Sequence, residues 1–207
     1  MKRIVLTLLI TFLTAVAASV GCAAAETAGQ LLTRASRKIM SSGSVTASFS
    51  YSAAGSRGSG TLKVSGRKFT VQTPGSSSWY DGKNMWTYNA ASRETTLVNP
   101  TASELAETNP LLYLATANAY NCAYGKGNSA TKKIIILTPK SRKQPVRSAT
   151  LELDGKTLNP MKISVISSDG SSSTVSITRY TLGKALPASN FIYPKNKYPK
   201  IKIIDLR

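Results

Sequence analysis

The stretch "VTASFSYSAAGSRGSGTLKVSGRKFTVQ", residues 45–72, decides the fold class. Val45, Ala47, Phe49 and Tyr51 alternate with Thr46, Ser48, Ser50 and Ser52. Leu62 and Val64 alternate with Thr61, Lys63 and Ser65, and Phe69 and Val71 with Lys68, Thr70 and Gln72. Successive side chains of a strand point to opposite faces, so this period of two describes a sheet with one apolar and one wet face. The glycine-bearing pieces "GSRGSG" (55–60) and "SGR" (65–67) read as the turns between three antiparallel strands.

The same pattern continues outward. "SSWYD" and "NMWTYN" flank Asp81-Gly82-Lys83 as a hairpin, with Trp86 and Tyr88 on one face and Met85 and Thr87 on the other. Further strands read at "RETTLV", "KKIIILTP", "RSATLELD", "MKISVISS" and "STVSITRYTL", and the tail "FIYPKNKYPKIKIIDLR" ends in a short one. Two helical pieces interrupt them. In "ETAGQLLTRASRKIM" (26–40), Ala28, Leu31, Leu32, Ala35 and Ile39 share a face. In the insertion at 101–118, Thr101 and Glu104 form a capping box, and Pro110 opens a second helix, "PLLYLATANA". A meander of about ten strands with one apolar face must close or be covered. The expected fold is mainly β (α+β): an incomplete, strongly curved antiparallel β-barrel. Its N-terminal helix and central helical insertion cover the concave apolar face, and loose packing there would leave a hydrophobic cavity.

The opening "MKRIVLTLLITFLTAVAASVGCAAAETAG" reads as a secretory signal peptide over 1–25, with an Ala23-Ala24-Ala25 cleavage site, leaving a single domain over 26–207. No later stretch offers the ~20 continuous apolar residues of a spanning helix. An exported, periplasmic protein is expected; "SVGC" leaves open a lipid anchor at Cys22. Cleavage after Ala25 would leave Cys122 as a lone thiol, read as a buried small hydrophobe.

The 207 residues hold 27 basic and 9 acidic side chains and no histidine, for a net charge of +18. Without histidine there is no Ser-His-Asp or Cys-His arrangement and no imidazole metal site. Glu152 and Asp154 are the one candidate carboxylate pair, and a solvated strand face explains them better. No catalytic residue, metal or cofactor is expected, and the chain reads as a binder. The basic excess suits an anionic partner or simple solubility; export argues against nucleic acid.

Asp81-Gly82-Lys83, Trp86, Tyr88-Asn89 and Asn109-Pro110-Leu111-Leu112 stand in order along the chain. With "VTASFSYS", Gly60-Thr61-Leu62 and the Phe-x-x-Pro…Ile-Asp ending, they resemble the LolA family, periplasmic carriers that ferry lipoproteins to the outer membrane. The resemblance implies an incomplete barrel enclosing an apolar cavity for the acyl chains of a lipoprotein. Its partners would be acylated lipoproteins, an inner-membrane releasing transporter and an outer-membrane acceptor, and the carrier would be a monomer. The cavity residues it suggests are Phe49, Tyr51, Leu62, Val64, Phe69, Val71, Trp86, Tyr88, Ile163 and Val165, with a lid near Leu111, Leu112 and Leu114. Trp79 is expected to be structural. Arg67 is the nearest match to the family's lid-fastening arginine, though displaced by about a residue. An anchored acceptor resembling LolB and a cationic surface-binding protein are the alternatives.

Overall fold

The computed structural model describes residues 25–207 apart from 116, 142 and 143, so all but the last residue of the stretch 1–25 that reads as a signal peptide, Cys22 included, lies outside the described residues. Strands β1 (Ser44–Ala53), β2 (Ser56–Ser65), β3 (Lys68–Gln72), β4 (Ser76–Tyr80), β5 (Met85–Asn89) and β6 (Glu94–Val98) form one consecutive meander. Helices α1 (Ala28–Ser41), α2 (Ala102–Thr108) and α3 (Leu112–Ala115) precede and follow it. Then come β7 (Tyr120–Tyr124), β8 (Lys132–Pro139), β9 (Val146–Asp154), β10 (Pro160–Ser167), β11 (Ser172–Gly183) and β12 (Lys202–Asp205).

All twelve lie in one open, curved sheet ordered β12-β6-β5-β4-β3-β2-β1-β11-β10-β9-β8-β7. The expected curved sheet with helices on its concave face is what the chain forms. Two details differ. β7, "YNCAY", is an unforeseen strand, and β12 joins β6 in parallel rather than continuing an antiparallel meander.

The turn reading of "GSRGSG" needs correction. Only Ala54 (φ 46°) and Gly55 (φ 78°) turn the chain, and Gly58 and Gly60 belong to β2. They sit opposite Tyr51 and Phe49 in the ladder. A Cβ at Gly60 would lie 2.7 Å from Phe49 Cζ and 2.4 Å from the Gln72 carbonyl; one at Gly58 would lie 2.7 Å from the Tyr51 hydroxyl. The two glycines let the rings lie flat across the neighbouring strand. β11 carries an extra residue, Thr178, opposite the Ser48/Phe49 step. That bulge bends the sheet and keeps Ile177 and Tyr180, three residues apart, both on the concave face.

The concave face holds the core. Thr27 and Gln30 cap α1 reciprocally. Ala28, Leu31, Leu32 and Ala35 are buried as their spacing requires, against α3 and a wall that includes Ile135, Leu137, Leu151 and Leu153. Thr101 and Glu104 cap α2 as expected. The second helix is shorter than expected, one turn at 112–115 followed by a 3-10 turn at 117–119.

The outer face has a second, smaller core. Residues 184–201 run across β2–β4 as a strap before β12 pairs at the edge. Thr70 Oγ1 donates to the Asn190 carbonyl (2.6 Å), and Ser44 Oγ to the Lys184 carbonyl (2.7 Å). Phe191 and Tyr193 are buried there. Trp79 meets Tyr193 and Tyr198 edge-on, at ring centroids 5.5 and 5.9 Å away, and Tyr88 lies 4.6 Å from Tyr198.

Candidate functional site: an apolar cavity under the helical insertion

Two adjoining cavities lie between the concave face and the α2–α3 segment. The first, about 240 Å³, is floored by Phe49, Tyr51, Leu62, Val71, Ile163, Val175 and Ile177, and roofed by Glu107, Thr108, Pro110 and Leu111. The second, about 480 Å³, shares Glu107, Pro110, Ile163, Ser173 and Val175 and adds Tyr113, Val146, Val165 and Asp169. The roof follows from the sequence. Pro110 cannot continue α2, so the chain breaks at Asn109, whose Oδ1 accepts the Leu111 N–H (3.2 Å). Asn109 is itself buried, and its Nδ2 has no partner among the described residues. α2 has no fully buried residue and leans on the core through the half-buried Leu105 and Ala106, whereas α1 is anchored by four buried side chains, so this part of the roof is held more weakly than α1.

The first cavity is an apolar container with few polar groups; the second is mixed, with Ser167, Ser168 and Ser173 beside its apolar residues. Glu107 and Asp169 are their charged lining. Hydrogen bonds from the Ser171 hydroxyl (2.7 Å) and backbone N–H (2.9 Å) hold the Asp169 carboxyl below its ordinary range. Burial raises the Tyr113 phenol to about 12. Glu152 is flanked by Lys132 and Lys162 at 3.6 and 3.7 Å, whereas Asp154 ties the following turn through Thr157 and Lys156. The two carboxylates thus serve separate structural tasks. Cys122 is a half-buried free thiol whose pKa is raised by burial.

Phe49, Tyr51, Leu62, Val71, Leu111 and Ile163 come together around the first cavity, and Val165 around the second. Val64 packs against the core, and Phe69 and Leu114 are buried in it; Leu112 is half-buried in α3. Trp86 and Tyr88 are corrected: they lie on the outer face. Trp86 is the ladder partner of Trp79, and the concave positions of this hairpin belong to Tyr80 and Met85. Arg67 is exposed in the β2–β3 turn, at the far end of these strands from Thr73 and the roof, with no bond to the roof among the described residues. Val175, Ile177 and Pro110 were missed, although "STVSITRY" alternates and carries the signal.

A model of the family described as outer membrane lipoprotein carrier protein LolA matches residues 18–178. The chain belongs to this LolA family. No curated protein matches it by sequence. Among solved structures, an uncharacterized conserved protein from Thermus thermophilus aligns with a TM-score of 0.56 at 11% identity, covering 85% of this chain and 98% of its own. A DUF1329 family protein from Desulfovibrio piger gives 0.48 at 13% identity, over 80% and 96%. A LolA superfamily protein from Nitrosomonas europaea gives 0.42 at 14%, over 81% and 98%. At these identities the first likeness speaks to the fold alone. Among the described residues no helix is long and apolar enough to cross a membrane.

Proposed function

We propose that the protein is an exported, periplasmic carrier that shields the acyl chains of lipoproteins during transfer to the outer membrane. The observation that carries this reading is the mostly apolar first cavity beneath the helical roof, in a chain of the LolA family. Burial of a methylene stabilises by about 0.8 kcal/mol, so ten methylenes contribute about 8 kcal/mol before ordering costs. That sum corresponds to at best a roughly micromolar complex, tight enough to collect a chain and weak enough to surrender it. On this reading the signal peptide over 1–25 is removed, residues 26–207 act as one domain, and a releasing transporter and an acceptor serve the two ends of the transfer.

Native mass spectrometry of detergent-free protein tests this, together with uptake of a fluorescent apolar probe. A co-purified acylated molecule displaced by the probe is expected, with affinity nearly independent of salt. Val175→Trp, which fills space shared by both cavities, should abolish uptake while the fold persists. A clean mass and no probe uptake would overturn the reading.

A further inference from the structure

Strand β7 is an open edge of the sheet. Lys140 N donates to the Ala119 carbonyl and Gly125 N to the Ile134 carbonyl, both at 3.0 Å. Hydrogen-bonded pairs alternate along an antiparallel ladder, so Asn121 and Ala123 face β8 between these two bonds. The N–H and C=O groups of Tyr120, Cys122 and Tyr124 consequently point away from the sheet. Among the described residues they have no backbone partner; the Cys122 thiol sits 3.9 Å from the Tyr120 carbonyl. Proteins blunt such edges with charges, prolines, bulges, short strands or a covering element. β7 has no charge, proline or bulge, is five residues long, and meets the α1 segment through side chains, the Tyr124 hydroxyl donating to the Glu26 carbonyl at 2.9 Å.

Beyond the edge lies an open trough of about 860 Å³ between β7 and the polar side of α1. Gln30, Arg34, Arg37, Asn118, Asn121 and Lys140 line it. Arg34 is engaged by Glu26 at 2.8 Å. Arg37 and Lys140 have no ion-pair partner among the described residues. Strand-spaced backbone groups and uncompensated cations thus flank one groove.

We infer that β7 accepts an extended acidic segment of a partner protein as an added strand. Its backbone pairs with Tyr120, Cys122 and Tyr124, and its carboxylates meet Arg37 and Lys140. A second copy of this chain fits poorly, because two such edges would bring their cations together in a chain of net charge +18. Anionic lipid supplies charge but no strand-spaced amides. The trough is lined by the polar side of α1, apart from the acyl cavity, and stands independently of the carrier reading.

The test uses a fluorescein-labelled, capped hexapeptide of alternating Glu and Val, followed by anisotropy and by amide hydrogen exchange. Expected are saturable binding and new protection at Cys122 and Tyr124, with little change at Asn121 and Ala123, which already bond β8. Arg37→Gln with Lys140→Gln should weaken binding about three- to ten-fold. Lys195→Gln with Lys200→Gln, which removes the same charge elsewhere, should leave it nearly unchanged. Any of four results would overturn the proposal: no protection at Cys122 and Tyr124, equal loss in the charge control, equal binding of a Lys-Val peptide, or equal binding after N-methylation of the peptide's pairing amides. The same amides protected as strongly by phosphatidylglycerol vesicles would overturn it in favour of a lipid surface.

Discussion

Gly60→Ala tests whether the cavity wall depends on a missing side chain. A glycine-to-alanine change in a strand ordinarily stabilises by about 0.4–1 kcal/mol, by restricting the unfolded chain. Here the new methyl would stand 2.4 Å from the Gln72 carbonyl and 2.7 Å from Phe49 Cζ. The carbonyl belongs to the strand backbone, so β2 or β3 must give as well as the Phe49 ring, which places the overpacking cost at the upper end of its usual range, about 2–3 kcal/mol. The net expectation is a loss of about 1–2 kcal/mol. A urea midpoint should fall by roughly 0.5–1 M at an unchanged slope. Probe uptake should fall with it, because Phe49 lines the cavity. Gly58→Ala is the internal control: its close contacts are the Tyr51 hydroxyl, Cζ and Cε1 at 2.7, 2.8 and 2.9 Å, the outer part of one side chain with no backbone atom among them, so its loss should be smaller than that of Gly60→Ala. Equal stability for Gly60→Ala and the parent, or a larger loss for Gly58→Ala, would show that the rings do not depend on these glycines.

Further outcomes are expected elsewhere in the molecule. Thr70→Val leaves the half-buried Asn190 carbonyl without its donor and should cost about 0.5–1.5 kcal/mol, read by denaturation and by increased exchange across 184–201. Thr101→Ala removes the α2 cap at about 1 kcal/mol of helix stability, and exchange should rise in 102–108 with little change in global unfolding. In an alkaline titration followed at the tyrosinate absorbance, Tyr113 and Tyr180 should ionise last, near 12, both held protonated chiefly by burial. Their folded pKa values lie above the unfolded value of about 10, so they support the fold fully below pH 10. That contribution should be lost as pH rises from 10 to 12.

The central strands were legible because β1–β3 each have one face against the core and one against water or polar groups. Period two therefore carries the face assignment directly. The α1 stripe and the Thr101–Glu104 box were legible for the same local reason. The β5 hairpin was not, because Met85 and Trp86 are both large and apolar. What separates them is the strap of residues 184–201, about a hundred positions later, which gives the outer face its own aromatic partners. "GSRGSG" misled because glycine signals turns, and nothing local shows that Gly58 and Gly60 are there to receive two rings. β7 alternates over only five residues, Tyr120, Cys122 and Tyr124 against Asn121 and Ala123, too short a run beside a helical insertion to stand out.

The strap also has a consequence for how the chain reaches its final state. Lys202 pairs with Glu94 and Thr70 holds Asn190, so the outer core joins segments more than a hundred residues apart. Contacts that distant are costly to close early in folding. The concave core, built from α1 to β11, needs none of these residues. Assembly should therefore proceed in two stages, with a sheet that already encloses its cavity and a later clasp. Trp79, roofed only when Tyr193 and Tyr198 arrive, is a built-in fluorophore for the second stage.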